Sequence, residues 1–129
     1  MNRTILATAG LLGGLGVALG ALGAHALKGQ LDADGLETFR TAVFYQLVHA
    51  LFLLFLAVAG DDRVPGRKVL FRLVTAGVIA FSGSLYLLAT APLTGLETGW
   101  FGWITPLGGL LLISAWLLTF FRVLARKSG

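Results

Sequence analysis

Four long apolar runs organise this chain, each separated from the next by a cluster of polar or turn-forming residues. They extend from Thr4 to Ala24, Ala42 to Gly60, Val69 to Ala91 and Ile104 to Phe121. A helix needs about 20 mostly apolar residues to cross a hydrocarbon core about 30 Å thick, and each run is close to that length. The runs are too long and too continuously apolar for barrel strands, and a helix satisfies its backbone polar groups internally. The pattern therefore predicts an all-α polytopic membrane protein. It has one domain, 1–129, with transmembrane helices about 4–24, 42–60, 69–91 and 104–121 packed in a bundle.

The breakers refine these boundaries. Gly60, Asp61, Asp62, Pro65 and Gly66 make one turn, and Pro92, Gly95 and Gly99 another. Thr105 before Pro106 reads as a cap and first helical residue, where proline loses no needed bond. Trp100 and Trp103 sit at that boundary, where amphipathic rings favour the membrane interface. Asp34 followed by Glu37 resembles a capping box. The second helix is thus expected to start near Gly35, with 35–41 as an interfacial segment before the chain enters the membrane.

Composition supports lipid as part of the solvent. Only 12% of residues are charged and 57% are hydrophobic, against about 25% charged in an ordinary soluble domain. The net charge of +4 could suggest nucleic acid, but the basic residues lie at the ends of the apolar runs and form no binding patch. The absence of cysteine excludes disulfides, thiolate metal sites and thiol catalysis.

The distribution of Lys and Arg predicts orientation. The side shared by the termini and the middle loop carries Arg3, Arg63, Arg67, Lys68, Arg72, Arg122, Arg126 and Lys127, eight in all; the other side carries only Lys28 and Arg40. Both termini are therefore expected in the cytoplasm. Arg67, Lys68, Arg72, Arg122, Arg126 and Lys127 would form a basic collar there, in contact with lipid headgroups. The N-terminal run followed by Ala24-His25-Ala26 also has the outline of a cleavable signal peptide. It exceeds the usual apolar length of about 7–15 residues, so a retained helix is expected.

Helix contacts can be anticipated from glycine. Gly13, Gly16, Gly20 and Gly23 line one face of the first helix, with Gly10 and Gly14 as a further small-residue pair. Between helices in lipid the hydrophobic drive is weak, so close backbone approach supplies much of the attraction. This face would pack within the bundle or against a second copy. Gly83, between Ser82 and Ser84, and Gly108-Gly109 are expected to be further close contacts.

Ionisable groups inside a span are costly and usually mark function. Tyr45, Gln46 and His49 share one side of the second helix, and His25 ends the first at the same end of the bundle. With a short connection between these helices, His25 and His49 could approach each other. The group could pin helices together through hydrogen bonds, act as a proton-linked site, hold a metal or haem with a thin two-His ligand set, or bind a headgroup or small ligand. No Asp or Glu lies within a span, and no nucleophile–His–acid set, phosphate loop or zinc-protease motif is present. No catalytic residue, metal site or cofactor is predicted.

Four segments, in order, resemble the domain-of-unknown-function 423 family. They are Gly20-Ala-Leu-Gly-Ala-His-Ala-Leu-Lys28, Phe39-Arg-Thr-Ala-Val-Phe-Tyr-Gln-Leu-Val-His-Ala50, Phe81-Ser-Gly-Ser-Leu-Tyr86 and Ile104-Thr-Pro-Leu-Gly-Gly109. The resemblance implies a small four-helix protein of the plasma (inner) membrane, and it brings no established activity. It points to His25, Lys28, Tyr45, Gln46 and His49 as a candidate polar or ligand site. The expected role is a non-enzymatic accessory or assembly component that works through helix packing, in the bilayer and with a homo-oligomer or membrane-protein partner. The alternative is a small oligomeric channel or transporter with that polar site near the outer face.

Overall fold

A computed structural model describes residues 2–126; Met1 of the signal-like segment and Lys127 of the basic collar lie outside the described residues. Four helices follow one another: α1 (Arg3–Ala24), α2 (Ala33–Ala59), α3 (Arg67–Thr94) and α4 (Ile104–Ala125). Each is long and apolar enough to cross a membrane. Successive helices pack on each other, α1 on α2, α2 on α3 and α3 on α4. The second helix is the most enclosed, and α1 and α4 are largely open to lipid. Leu11, Val17, Leu110, Ile113, Phe121 and Leu124 are among the large side chains on these open faces.

The helix ends follow local chemistry. The side chain of Asn2 accepts from the Ile5 amide to cap α1. Asp32 caps α2, accepting from the Gly35 amide at 2.7 Å. The cap is therefore Asp32 and not Asp34, and α2 runs unbroken from Ala33. The 35–41 segment is continuous with the rest of this helix. Its Phe39 is buried between Gly23 of α1 and Tyr86 of α3, which draws these turns into the protein. Pro92 lies inside α3 and not in the turn after it. It removes one backbone bond, to the Leu88 carbonyl, near the helix end, and the helix stops at Gly95 (φ 74°), whose amide bonds the Ala91 carbonyl. Helix α4 starts at Ile104, so Pro106 is its third residue, still within the first turn where the missing N–H costs little. Thr105 is not the cap. Its hydroxyl pairs with Ser84 across to α3.

The glycine face of α1 meets α2 in a regular antiparallel register. A Cβ added at Gly13 would lie 3.9 Å from Ala50, at Gly16 2.7 Å from Leu47, at Gly20 3.4 Å from Val43, and at Gly23 2.8 Å from Phe39. At Gly16 and Gly23 a Cβ would force the Leu47 or Phe39 side chain to shift. The contact between α3 and α4 is tighter still. A Cβ at Gly108 would fall on the backbone of Ala80 and Phe81, and one at Gly77 would strike Leu112. Gly109 makes only ordinary contact with the Phe81 ring. Gly83 departs from expectation: a Cβ there would meet nothing within 4 Å. It borders an apolar groove of about 750 Å³ between α3 and the Trp100–Phe101 loop. Around these contacts Ile5, Leu53, Leu56, Leu70, Val74, Leu112 and Ala115 form the core.

The end that holds both termini is tied by backbone capture. The Asn2 amide donates to Ala57 at 3.1 Å. The Arg67 guanidinium reaches the Leu56 and Ala57 carbonyls, and Arg122 reaches Pro65 and Gly66. Each arginine thereby ties a helix end or turn through its backbone carbonyls, Arg67 at the last turn of α2 and Arg122 at the turn before α3.

Gly108→Ala should lower unfolding stability in detergent by about 1–3 kcal/mol, because the new methyl must push two helix backbones apart. Gly83→Ala and Gly10→Ala, which face open space, should leave stability unchanged or slightly raised. Thermal unfolding of the three purified variants checks the contrast.

Candidate functional site: a hydrogen-bonded polar cluster within the membrane

Helix α2 places Gln46 and His49 three residues apart on its inward side, so both reach other helices. Gln46 is 4% and His49 2% exposed, among few buried polar residues in the fold. Their burial in an apolar surround demands partners for every polar atom.

Gln46 finds them on two sides. Its Nε2 donates to the Leu12 carbonyl of α1 at 2.8 Å. Its Oε1 accepts from the Tyr86 hydroxyl of α3 at 2.7 Å. A carbonyl can only accept, so the amide nitrogen must face Leu12, which settles the orientation of the side chain. Gly16 lies beside this bond: a Cβ there would be in ordinary contact with Nε2 at 3.5 Å but would push Leu47 aside. One side chain thus joins three helices.

His49 is equally occupied. Trp116 of α4 donates its indole N–H to Nε2 at 3.0 Å. Indole is only a donor, so Nε2 carries no hydrogen and the proton sits on Nδ1. Nδ1 then donates to the Tyr45 carbonyl at 2.7 Å. The imidazole is neutral, with both nitrogens in use. Its ring lies edge to face with Trp116, centroids 5.9 Å apart, and Trp116 also packs on Phe52. Two further ties complete the cluster: Ser82 donates to the Ala42 carbonyl at 2.8 Å, and Ser84 pairs with Thr105.

The residues expected to form one site separate into two groups. Gln46 and His49 belong to the buried cluster. Tyr45 borders it, 38% exposed, contributing its carbonyl to His49 and its ring to Phe81 at 4.8 Å. His25 and Lys28 do not join it. Both are exposed in the connection between α1 and α2. In the α1–α2 register His49 lies level with Gly14, eleven residues before His25 in α1, a rise of roughly 16 Å. The two histidines therefore do not meet. Among the described residues, no three His, Cys, Asp or Glu side chains gather where they could hold a metal. The partners that were not anticipated are Trp116 and Thr105. Both sit on α4, and the signal for Trp116 was its place well inside a span, away from the interface where tryptophan is common.

The family's sequence pattern, described as "Protein of unknown function (DUF423)", matches residues 19–109 of this chain. The chain belongs to the DUF423 family. Within that family, it is 38% identical over 106 residues to the UPF0382 membrane protein YwdK of Bacillus subtilis, covering 81% of this chain and 82% of the relative. It is 36% identical over 121 residues to the UPF0382 inner membrane protein YgdD of Escherichia coli, covering 91% and 86%. A Staphylococcus haemolyticus UPF0382 membrane protein is 38% identical over 104 residues. No solved structure matches the chain at a significant level. Together with the four spanning helices, these relatives establish an all-α, four-helix membrane protein of the DUF423 family. The matched span holds Gln46, His49, Tyr86 and Thr105; Trp116 falls beyond it.

Gln46→Leu should cost about 1–3 kcal/mol, since it strands the Tyr86 hydroxyl in an apolar setting. A double-mutant cycle of Gln46→Leu with Tyr86→Phe, read by unfolding in detergent, should give a coupling of about 1 kcal/mol. Additive effects would mean that the bond contributes nothing.

Proposed function

We propose that this DUF423 protein is a non-enzymatic component of the plasma (inner) membrane that acts through helix packing, as an accessory or assembly subunit. The observation that carries the reading is the saturation of the polar cluster. Gln46 bonds α1 and α3, and His49 bonds Trp116 of α4 through Nε2 and the Tyr45 carbonyl of its own helix through Nδ1, so both serve as structural ties with every side-chain nitrogen and oxygen engaged. Their bonds hold α1, α3 and α4 to α2, while wide apolar faces of α1 and α4 stay open for membrane neighbours. The excess of Lys and Arg at the end with the termini supports cytoplasmic placement of both.

Native mass spectrometry of protein gently extracted from its own membranes tests the reading. A mass containing other membrane proteins, reduced to the bare chain by His49→Ala, is the expected result. A pure multiple of the chain, together with ion or solute flux in liposomes that His49→Ala abolishes without unfolding the protein, would instead establish an oligomeric channel or transporter. Orientation has its own check. A cytoplasm-active reporter inserted in the Gly60–Gly66 turn should be active, and one in the Leu96–Trp103 loop inactive; the reverse pattern would invert the topology.

A further inference from the structure

Four of the basic residues at the end that holds the termini form two contrasting pairs. Arg67 and Arg122 spend their guanidinium groups on backbone carbonyls. Lys68 and Arg72 instead line a cleft of about 260 Å³ between the first turns of α1 and α3, together with Asn2, Thr4, Ile5 and Phe71. Lys68 and Arg72 are four apart, so they stand on one side of α3, and both are exposed. No acidic residue lines the cleft. Its walls are divided by polarity: Ile5 is fully buried and Phe71 partly buried, while the cations, Asn2 and Thr4 supply polar surface.

Topology adds to this charge. Helices α1 and α3 both begin at this end, so two positive dipole ends converge on the cleft. Thr4 and Asn2 bring hydrogen-bonding groups beside the two cations. Residues this close to the start of spanning helices lie at headgroup depth, where basic pockets between helices attract anionic lipid.

We infer that this cleft binds a phosphate group, and that its source is the phosphodiester of an anionic phospholipid. The phosphate sits between Lys68 and Arg72, and the adjoining apolar wall, presented by the partly exposed Phe71, receives the start of an acyl chain. A free phosphate would satisfy the cations but would leave the apolar wall unused, which favours the lipid. The site is independent of any role for the Gln46–His49 cluster.

The test is lipid retention, measured by native mass spectrometry on the full-length protein released from nanodiscs of mixed phosphatidylglycerol and phosphatidylcholine. The expected result is preferential retention of phosphatidylglycerol, reduced on the order of tenfold in Lys68→Gln/Arg72→Gln. Arg63→Gln/Arg126→Gln, which removes the same charge at the same end but outside the cleft, should keep the preference. Thermal unfolding of each variant in neutral detergent separates loss of lipid from loss of fold. Stabilisation by inorganic phosphate without phosphatidylglycerol retention, lost in Lys68→Gln/Arg72→Gln, would keep the phosphate site but assign it to a soluble ligand. Equal retention of both lipids, or an equal fall in the two double variants, with no phosphate effect would overturn the inference.

Discussion

The hydrogen bonds of Gln46 are the interaction around which the other helices are arranged. Lipid offers no partner to a buried amide, so its donor and acceptor must both be met by protein. The Leu12 carbonyl and the Tyr86 hydroxyl meet them from opposite sides of α2. This sets the distance of α1, because Nε2 must stay within reach of the Leu12 carbonyl while Leu47 packs against the bare Gly16. It also sets the height of α3, because the Tyr86 hydroxyl must arrive level with Gln46. His49, one turn further along α2, repeats the solution toward α4 through Trp116. Glycine contacts and polar bonds thus act together: close approach lets short side chains reach, and the bonds hold the approach in register.

This economy explains why a fold with little charge can still be specific. Between apolar helices in lipid, packing alone discriminates weakly among registers, since lipid tails are as apolar as the helix faces. A slip of one residue between α1 and α2 would carry Gln46 away from the Leu12 carbonyl and drive Leu47 into the α1 backbone. The tight Gly108 contact with the Ala80–Phe81 backbone, and the Ser84–Thr105 pair one turn away, impose the same constraint on α3 and α4.

Much of the fold was legible in the sequence because its cause is local. Span length, hydropathy and the turn clusters at 60–66 and 95–99 are properties of consecutive residues, and the helices follow them. The 3-4-3 spacing of Gly13, Gly16, Gly20 and Gly23 already marked a face, though not which partner it would meet. The cap of α2 was less legible, because Asp32 and Asp34 are both good caps by residue type and type alone does not choose between them. Gly83 misled for the converse reason: a small residue allows close contact but does not require it. The candidate site was only half legible. Residue type and spacing on α2 pointed to Gln46 and His49, whereas the separation of His25 from His49 depends on the α1–α2 register. The role of Trp116 depends on how α4 returns across α2, a long-range fact that no local pattern carries.

The claim that Gln46 and His49 are held as structural ties within the bundle rests most directly on the protonation state of His49. With His25 exposed as an internal reference, nitrogen NMR of imidazole-labelled protein in lipid nanodiscs at pH 7 reads that state. A neutral ring with hydrogen on Nδ1, an acceptor Nε2, and a Trp116 indole N–H protected from exchange is the predicted result. An imidazolium, or a ring with hydrogen on Nε2 and a freely exchanging Trp116 N–H, would contradict it and leave His49 free for a chemical role.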